Sequence, residues 1–457
     1  MNKKVWCNVL VAALLASACS MGKTDGNPKM NSSTNHSAPQ HSIQGSDGAR
    51  IAATRSSARI HVVQPGQSLY KIAKQYGLST KSIAAVNKLT SPTRLVVGQT
   101  IVIPSNRGMR AAAIEPGHQT VQTRAKRAGY QIDVNAYIEP RGHVTPRQTQ
   151  TIREISPYLT YLAPFNFQIK RDGTLAHPPL ANMPVIARQN HAISMMVVTN
   201  LENDQFSPEL GSLIVRNEQF SNKVLDNIIR TAKQLGFKDI HFDIEHIKPE
   251  DRDAFNRFLE KSARRIKSSG FLFSTALAPK TSASQKGAWY TSHDYRKHGQ
   301  LADFVVIMTY EWGFSGGPPM PVSPLPEVRK VLEYARTEIP AAKIMMGQNL
   351  YGYDWTLPFK PGGKYAKALS PQEAIDLAKR ENVSIQYDWK AQAPYFSYVD
   401  DAGKNHMVWF EDARSIQAKY DLIKELGLKG ISYWKLGLDF PQNWLLLTEN
   451  FNVAKRE

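Results

Sequence analysis

Cysteine is almost missing from this 457-residue chain: there are two, Cys7 and Cys19, both at the extreme N-terminus. No disulfide framework can form across the body of the protein, so its stability has to come from core packing. Acidic residues are in deficit as well, 39 Asp and Glu against 57 Lys and Arg, giving a formal net charge of +18. A surface of that sign favours polyanions. No nucleic-acid module and no Arg-rich, aromatic-interleaved segment is present, so nucleic acid is not the expected partner, whereas an anionic cell wall fits the same charge. Long hydrophobic runs are lacking too. The best, Val5 to Ala16, falls short of the roughly 20 residues that a membrane span needs. There is no solenoid repeat and no Gly-rich phosphate loop, and no cofactor is expected.

What is present divides the chain. Asn2-Lys3-Lys4, the apolar run and the small residues Ala16-Ser17-Ala18 read as an export signal over residues 1–18, directing the protein to the cell envelope or wall. Cleavage before Cys19 would leave that cysteine at the new N-terminus, as in a lipoprotein. Plain secretion is the alternative, and a lipid on Cys19 is the one membrane contact expected. Residues 19–58, rich in Ser, Asn, Gly and Thr and without an apolar period, read as a disordered tether.

From Ile60 the pattern tightens. Ile60 to Val63 reads as a strand, Pro65-Gly66 as a turn, and Ser68 as the cap of a helix that Gly77 ends. A second helix from about Ser79 to Val86 and a closing strand from Gln99 to Pro104 complete a small βααβ module over residues 59–105. The series His61-x-Val63-x-x-Gly66-x-Ser68-Leu69-x-x-Ile72-Ala73, then Asn87-x-Leu89, Leu95 and Gly98-Gln99-x-Ile101-x-Ile103-Pro104, resembles a LysM domain. That resemblance implies binding of N-acetylglucosamine-containing glycans in a shallow groove. The implied contacts are Gly66, Gln67, Ser68 and Leu69, with the loop Leu89 to Pro92 opposite. Residues 106–128, with Arg107, Arg110, Arg124, Lys126 and Arg127, read as a solvated basic linker.

Over residues 129–457 strand and helix patterns alternate. Candidate strands are Gln131 to Ile138, Tyr158 to Phe167, His191 to Asn200, Asp239 to His246, Phe271 to Leu277, Asp303 to Tyr310, Lys343 to Leu350 and Lys429 to Leu436. Strands in that number with intervening helices are what an α/β fold of the (β/α)8 TIM barrel type requires. An insertion over residues 351–410 separates the seventh strand from the eighth. Within it Ser384 to Tyr387, Tyr395 to Val399 and His406 to Phe410 read as short strands, the last two joined by the turn Asp400-Asp401-Ala402-Gly403.

The stretch that carries chemistry is Gly236-Phe237-Lys238-Asp239-Ile240-His241-Phe242-Asp243-Ile244-Glu245. Alternation sends His241, Asp243 and Glu245 to one side and Phe242 and Ile244 to the other. Charged residues are out of place in a strand buried on both faces unless its end opens into a site, and barrel active sites lie at the C-terminal strand ends. Two other such ends hold Met308-Thr309-Tyr310-Glu311-Trp312 and Ser432-Tyr433-Trp434. The order His241, Glu245, His246 matches neither H-E-x-x-H nor H-x-x-E-H, and the two histidines face apart, so no metal is expected. An imidazole beside Asp243 would bias its ionisation, so His241 is expected to make activity pH-dependent across the mildly acidic range.

This stretch resembles the D-x-x-D-x-D-x-E signature of glycoside hydrolase family 18, with Lys238, Asp239 and His241 standing where the signature has Asp, Gly and Asp. The resemblance implies that Glu245 is the general acid and that Asp243 orients the substrate's own 2-acetamido group, whose oxygen is the nucleophile in this family. Two carboxyls on one strand face, with Cα atoms roughly 6.6 Å apart, do not straddle a sugar ring as an ordinary acid–nucleophile pair does. It further implies that Tyr310 hydrogen-bonds the acetamido oxygen and that Trp434 forms the apolar floor. Met308, Glu311 and His241 complete the substrate-binding set, and the insertion becomes an α+β subdomain walling the cleft. The segments Met195 to Asn200, Pro249 to Arg252, Ala302 to Tyr310, Leu350 to Trp355 and Ile431 to Gly437 narrow the resemblance to the LysM-linked spore-germination branch, whose members act as N-acetylglucosaminidases on peptidoglycan. The expectation is an exported peptidoglycan hydrolase; a chitinase, or a catalytically weak wall-binding protein, is the alternative.

Overall fold

The computed structural model describes residues 59–89, 94–104, 129–287 and 289–456. The expected export signal, tether and basic linker lie outside the described residues, as do Thr90 to Pro92 of the second glycan loop. No helix among the described residues is long and apolar enough to cross a membrane.

The N-terminal module runs β1 (Arg59–Val62), α1 (Leu69–Tyr76), α2 (Thr80–Val86) and β2 (Thr100–Ile103), with β1 and β2 paired antiparallel. Ser68 caps α1 by accepting the N–H of Lys71, and Gly77 ends it at φ 66°, a left-handed conformation that a residue without Cβ adopts cheaply. Leu69, Ile72, Ile83 and Ile101 fill the space between helices and strands.

The barrel follows. Its first strand β3 (Gln131–Ile138) leads into α3 (Pro146–Ile155), whose start Thr145 and Gln148 close with a reciprocal capping box. Then come β4 (Tyr161–Pro164), β5 (Ile193–Thr199), α4 (Glu218–Leu235), β6 (Asp239–Asp243), β7 (Leu272–Leu277), β8 (Phe304–Ile307), α5 (Leu325–Glu338) and β9 (Ile344–Asn349). Each strand lies parallel to the next. After β9 the chain leaves the barrel for the insertion: β10 (Gly352–Thr356), β11 (Lys367–Leu369), α6 (Pro371–Arg380), β12 (Gln386–Asp388), β13 (Ala393–Val399) and β14 (Asn405–Trp409). It returns through α7 (Ala413–Leu426) to β15 (Gly430–Trp434), which pairs with both β9 and β3 and closes the ring, and ends with α8 (Pro441–Asn450).

Three elements differ from expectation. The second strand starts later than Tyr158 because Ser156–Tyr158 forms a 3-10 turn around Pro157, which lacks a donor for a ladder, and it ends at Pro164, with Phe167–Ile169 a separate short strand paired with β5. The fourth stops at Asp243 rather than His246, since the backbone of Glu245 bonds to the Asn200 side chain instead of a neighbouring strand. The insertion is a five-stranded antiparallel sheet in the order β11-β10-β14-β13-β12, with α6 packed on it, so β10, β11 and α6 add to the three strands read from sequence.

The module does not hang free of the barrel. Gln442 of α8 donates to Asn87 Oδ1 (3.1 Å) and to the Thr100 carbonyl (2.7 Å) and accepts from Thr100 Oγ1 (3.2 Å), all three residues being buried. Beside this junction the N–H of Ile385, in the insertion, donates to the Val97 carbonyl at 2.9 Å.

Candidate active site

The alternation read in β6 is realised. Ile240, Phe242 and Ile244 join the layer between strands and helices, where Phe242 stacks on Phe258 with ring centroids 5.8 Å apart. The opposite face points into the barrel and, at its C-terminal end, into a cleft of about 490 Å³. Asp243, Glu245, Met308, Tyr310, Glu311 and Trp434 all line that cleft.

Glu245 sits just past the strand and is held twice. Asn200, at the end of β5, accepts its N–H (3.0 Å) and donates to its carbonyl (2.9 Å), clamping the backbone. The indole Nε1–H of Trp289 donates to its Oε2. Burial and the neighbouring charge of Asp243 push the Glu245 carboxyl well above the usual carboxylate range. Burial raises Asp243 too, while the hydrogen bond from Glu245 pulls it back. Both carboxyls are thus held above the usual carboxylate range, Glu245 further by the Asp243 charge beside it. Asp243 Oδ1 is buried with no hydrogen-bond partner among the described residues. A donor brought into the cleft would satisfy it.

Around this pair the walls are aromatic. Tyr310 packs with Ala276, Met308 and Trp289. A Cβ at Gly347 would come within 3.0 Å of the Tyr310 ring, so glycine there leaves the tyrosine its place. Trp434, in the cleft lining, stands edge-on to Phe165 and Tyr137, with centroids at 4.9 and 5.4 Å. Glu311 adopts φ 70°, and its buried Oε1 accepts hydrogen bonds from Tyr351 and from Tyr353, the latter at 3.0 Å. Burial pushes its carboxyl up to about 7, against the pull of those two hydroxyls. The insertion thus reaches the site through Tyr351 and Tyr353, which flank the start of β10.

His241 is where expectation and structure part. It is fully buried beneath Tyr137, lies outside the cleft lining and makes no hydrogen bond to Asp243. Ser274 Oγ donates to Asp239 Oδ2 (2.6 Å), so the imidazole Nδ1–H donates to Ser274 (2.8 Å) and Nε2 accepts from the Tyr137 hydroxyl (2.9 Å). Burial lowers its pKa to about 3, leaving it neutral throughout the mildly acidic range. It is therefore neither a substrate contact nor the expected pH sensor; it supports Tyr137 from below.

Two residues of the site were missed in the sequence. Asn200 lay in a segment noted for its resemblance but carried no signal of its own, and Trp289 comes from a loop that hydrophobic periodicity does not read. In the N-terminal module Gly66 and Ser68 are exposed, and Gln67 is tied to Gln64 (2.9 Å) and His61 (2.8 Å). Leu69 faces the module's core at 3% exposure, so its side chain cannot meet a glycan; the neighbouring Tyr70, 67% exposed, can.

A closed parallel barrel with a buried carboxyl pair in an aromatic cleft at its C-terminal end defines a barrel glycosidase. The pattern of Glycosyl hydrolases family 18 matches residues 141–439 and that of the LysM domain residues 61–104. The cortical fragment-lytic enzyme of Bacillus subtilis is 51% identical over 430 residues, covering 87% of this chain and 99% of that protein. The solved structure of the Bacillus megaterium QM B1551 spore cortex-lytic enzyme SleL shares 48% identity at a TM-score of 0.80, over 88% of this chain and 99% of the other. That of the Bacillus cereus spore cortex-lytic enzyme SleL shares 44% at 0.81, over 87% and 99%. The chain belongs to family 18 of the glycosyl hydrolases and carries a LysM domain before its catalytic barrel.

Proposed function

We propose that this glycosidase is an exported hydrolase of spore-cortex peptidoglycan, cleaving the β-1,4 bond after N-acetylglucosamine by substrate-assisted catalysis with retention. The observation that carries the reading is the placement of Glu245 beside Asp243 on the cleft lining, where burial and the Asp243 charge raise the Glu245 carboxyl. Glu245 gives its proton to the glycosidic oxygen as the bond to the anomeric carbon breaks. The carbonyl oxygen of the substrate's 2-acetamido group closes on the anomeric carbon from the other face, forming an oxazolinium ion. The unpartnered Oδ1 of Asp243 accepts the acetamido N–H and stabilises the cation, and the Tyr310 hydroxyl steadies the acetamido oxygen. Glu245, now ionised, takes a proton from the water that reopens the ring, restoring the starting state.

The names of the relatives support cortex peptidoglycan as the polymer, and the LysM domain supports a wall glycan held near the cleft, which raises its local concentration. Export, with or without a lipid on Cys19, rests on the N-terminal residues alone. Glu245→Gln is the test. Reducing-sugar release from purified cortex should fall by about 10²–10⁴-fold while co-sedimentation with the same material is kept. Equal release by variant and wild type would end the reading. Preferential release from chitin would move the assignment to a chitinase.

A further inference from the structure

At 72%, Trp389 is more exposed than Tyr70, Val399, Tyr365 or Val185, the other large apolar side chains that stand out into solvent among the described residues. The turn presenting it is firmly built. Asp388 Oδ1 accepts the N–H groups of Lys390 and Ala391, both at 2.8 Å, and the Gln392 amide donates to the Trp389 carbonyl at 2.6 Å. The Ala391 carbonyl in turn accepts the N–H of Leu325, the first residue of α5, at 2.9 Å. Barrel helices begin at the end of the strands where the active site lies, so this contact ties the turn to the catalytic end of the barrel.

On its other side the indole leads to the LysM domain in three short steps. The Tyr387 ring meets it edge-on with centroids 4.9 Å apart; the Arg414 guanidinium lies 4.1 Å over the Tyr387 ring; and Arg414 Nη2 donates to the Gly98 carbonyl at 3.2 Å. Arg94, where the second glycan loop rejoins the described residues, donates to Asn382 Oδ1 at 3.3 Å in the same subdomain. The turn carrying the indole is therefore joined on one side to Gly98 of the LysM domain and on the other to the first residue of α5, beside the exposed Lys390.

We infer that Trp389, braced by Tyr387, is a sugar-stacking subsite on the insertion. It takes the apolar face of one pyranose in a β-1,4 glycan strand passing from the LysM domain to the cleft. A β-linked pyranose presents a flat CH face, which an indole covers with little loss of side-chain entropy, and Lys390 suits the carboxylates of an anionic wall polymer. The inference rests on the reading of this chain as a hydrolase of N-acetylglucosamine-containing wall glycan.

The full chain is tested as wild type, Trp389→Ala and Trp389→Phe, by co-sedimentation with deproteinised cortex peptidoglycan and by kinetics on that polymer and on a soluble chromogenic N-acetylglucosamine disaccharide. Trp389→Ala should weaken sedimentation and raise KM on the polymer by about three- to tenfold, with kcat/KM on the disaccharide unchanged and Trp389→Phe keeping most of the binding. Unchanged sedimentation and KM in Trp389→Ala, or an equal loss on the disaccharide, would overturn the subsite. Absence of sugar release by wild type would sink the functional reading instead, and sedimentation would still decide the subsite by itself.

Discussion

Asp243 and Glu245 illustrate how one backbone period can deliver a reaction-ready pair. Side chains two apart on a strand share a face, and burial at the strand's end makes two charges intolerable, so one carboxyl keeps its proton. The pH consequence has a definite sign. In the proposed role Glu245 must be protonated to act as acid, and burial together with the Asp243 charge raises its pKa. Asp243→Asn removes the charge while leaving the burial, so Glu245 should lose its proton at lower pH. The alkaline limb of the kcat/KM profile is expected to move down the pH scale, with kcat reduced by about 10²-fold as the acetamido group loses its acceptor. An alkaline limb that stays put or moves up would show that Asp243 does not couple to the acid. His241 teaches the complementary lesson. The same period put it on the right face, but period says nothing about depth, and two residues before Asp243 the barrel interior is already closed.

At the level of elements, the strands were legible because most are short apolar runs, and a parallel barrel buries them on both faces. Boundaries were less so: the extra residues assigned to β6 are extended enough to look like strand, and only the Asn200 clamp takes them out of the ladder. The insertion's β10 and β11 were invisible for a different reason. β10 pairs antiparallel with β14 at the far end of the insertion, and β11 returns to β10 only after the connection 357–366, so no short turn announces either. Closure of the ring depends on a detail of packing between β15 and β3. A Cβ at Gly430 would stand 1.9 Å from the Asp133 carbonyl oxygen, a backbone atom that cannot move aside. Gly430→Ala should cost about 1–3 kcal/mol in chemical denaturation, because the two strands must separate to admit a methyl group. A stability equal to wild type would mean that this seam is looser than its geometry.

For the whole molecule, the question is whether binding domain and barrel behave as two bodies or one. Gln442 makes three hydrogen bonds across a buried junction, which leaves polar groups stranded if it is cut back. Gln442→Ala is expected to weaken that junction by about 1–3 kcal/mol. Calorimetry should then show the LysM domain melting in its own earlier transition; a single unsplit transition at the wild-type temperature would place the docking elsewhere. From its residues alone this chain determined its modules, the strand–helix alternation, and the placement of Asp243 and Glu245 on one face, since these follow from local spacing and the φ/ψ habits of glycine and proline. Only the tertiary structure decided the depth of His241, the arrival of Trp289 and Asn200 at Glu245, and the seating of the LysM domain. Each of those depends on which distant segments meet, and the free energy of such meetings resides in burial and in hydrogen bonds that no local window contains.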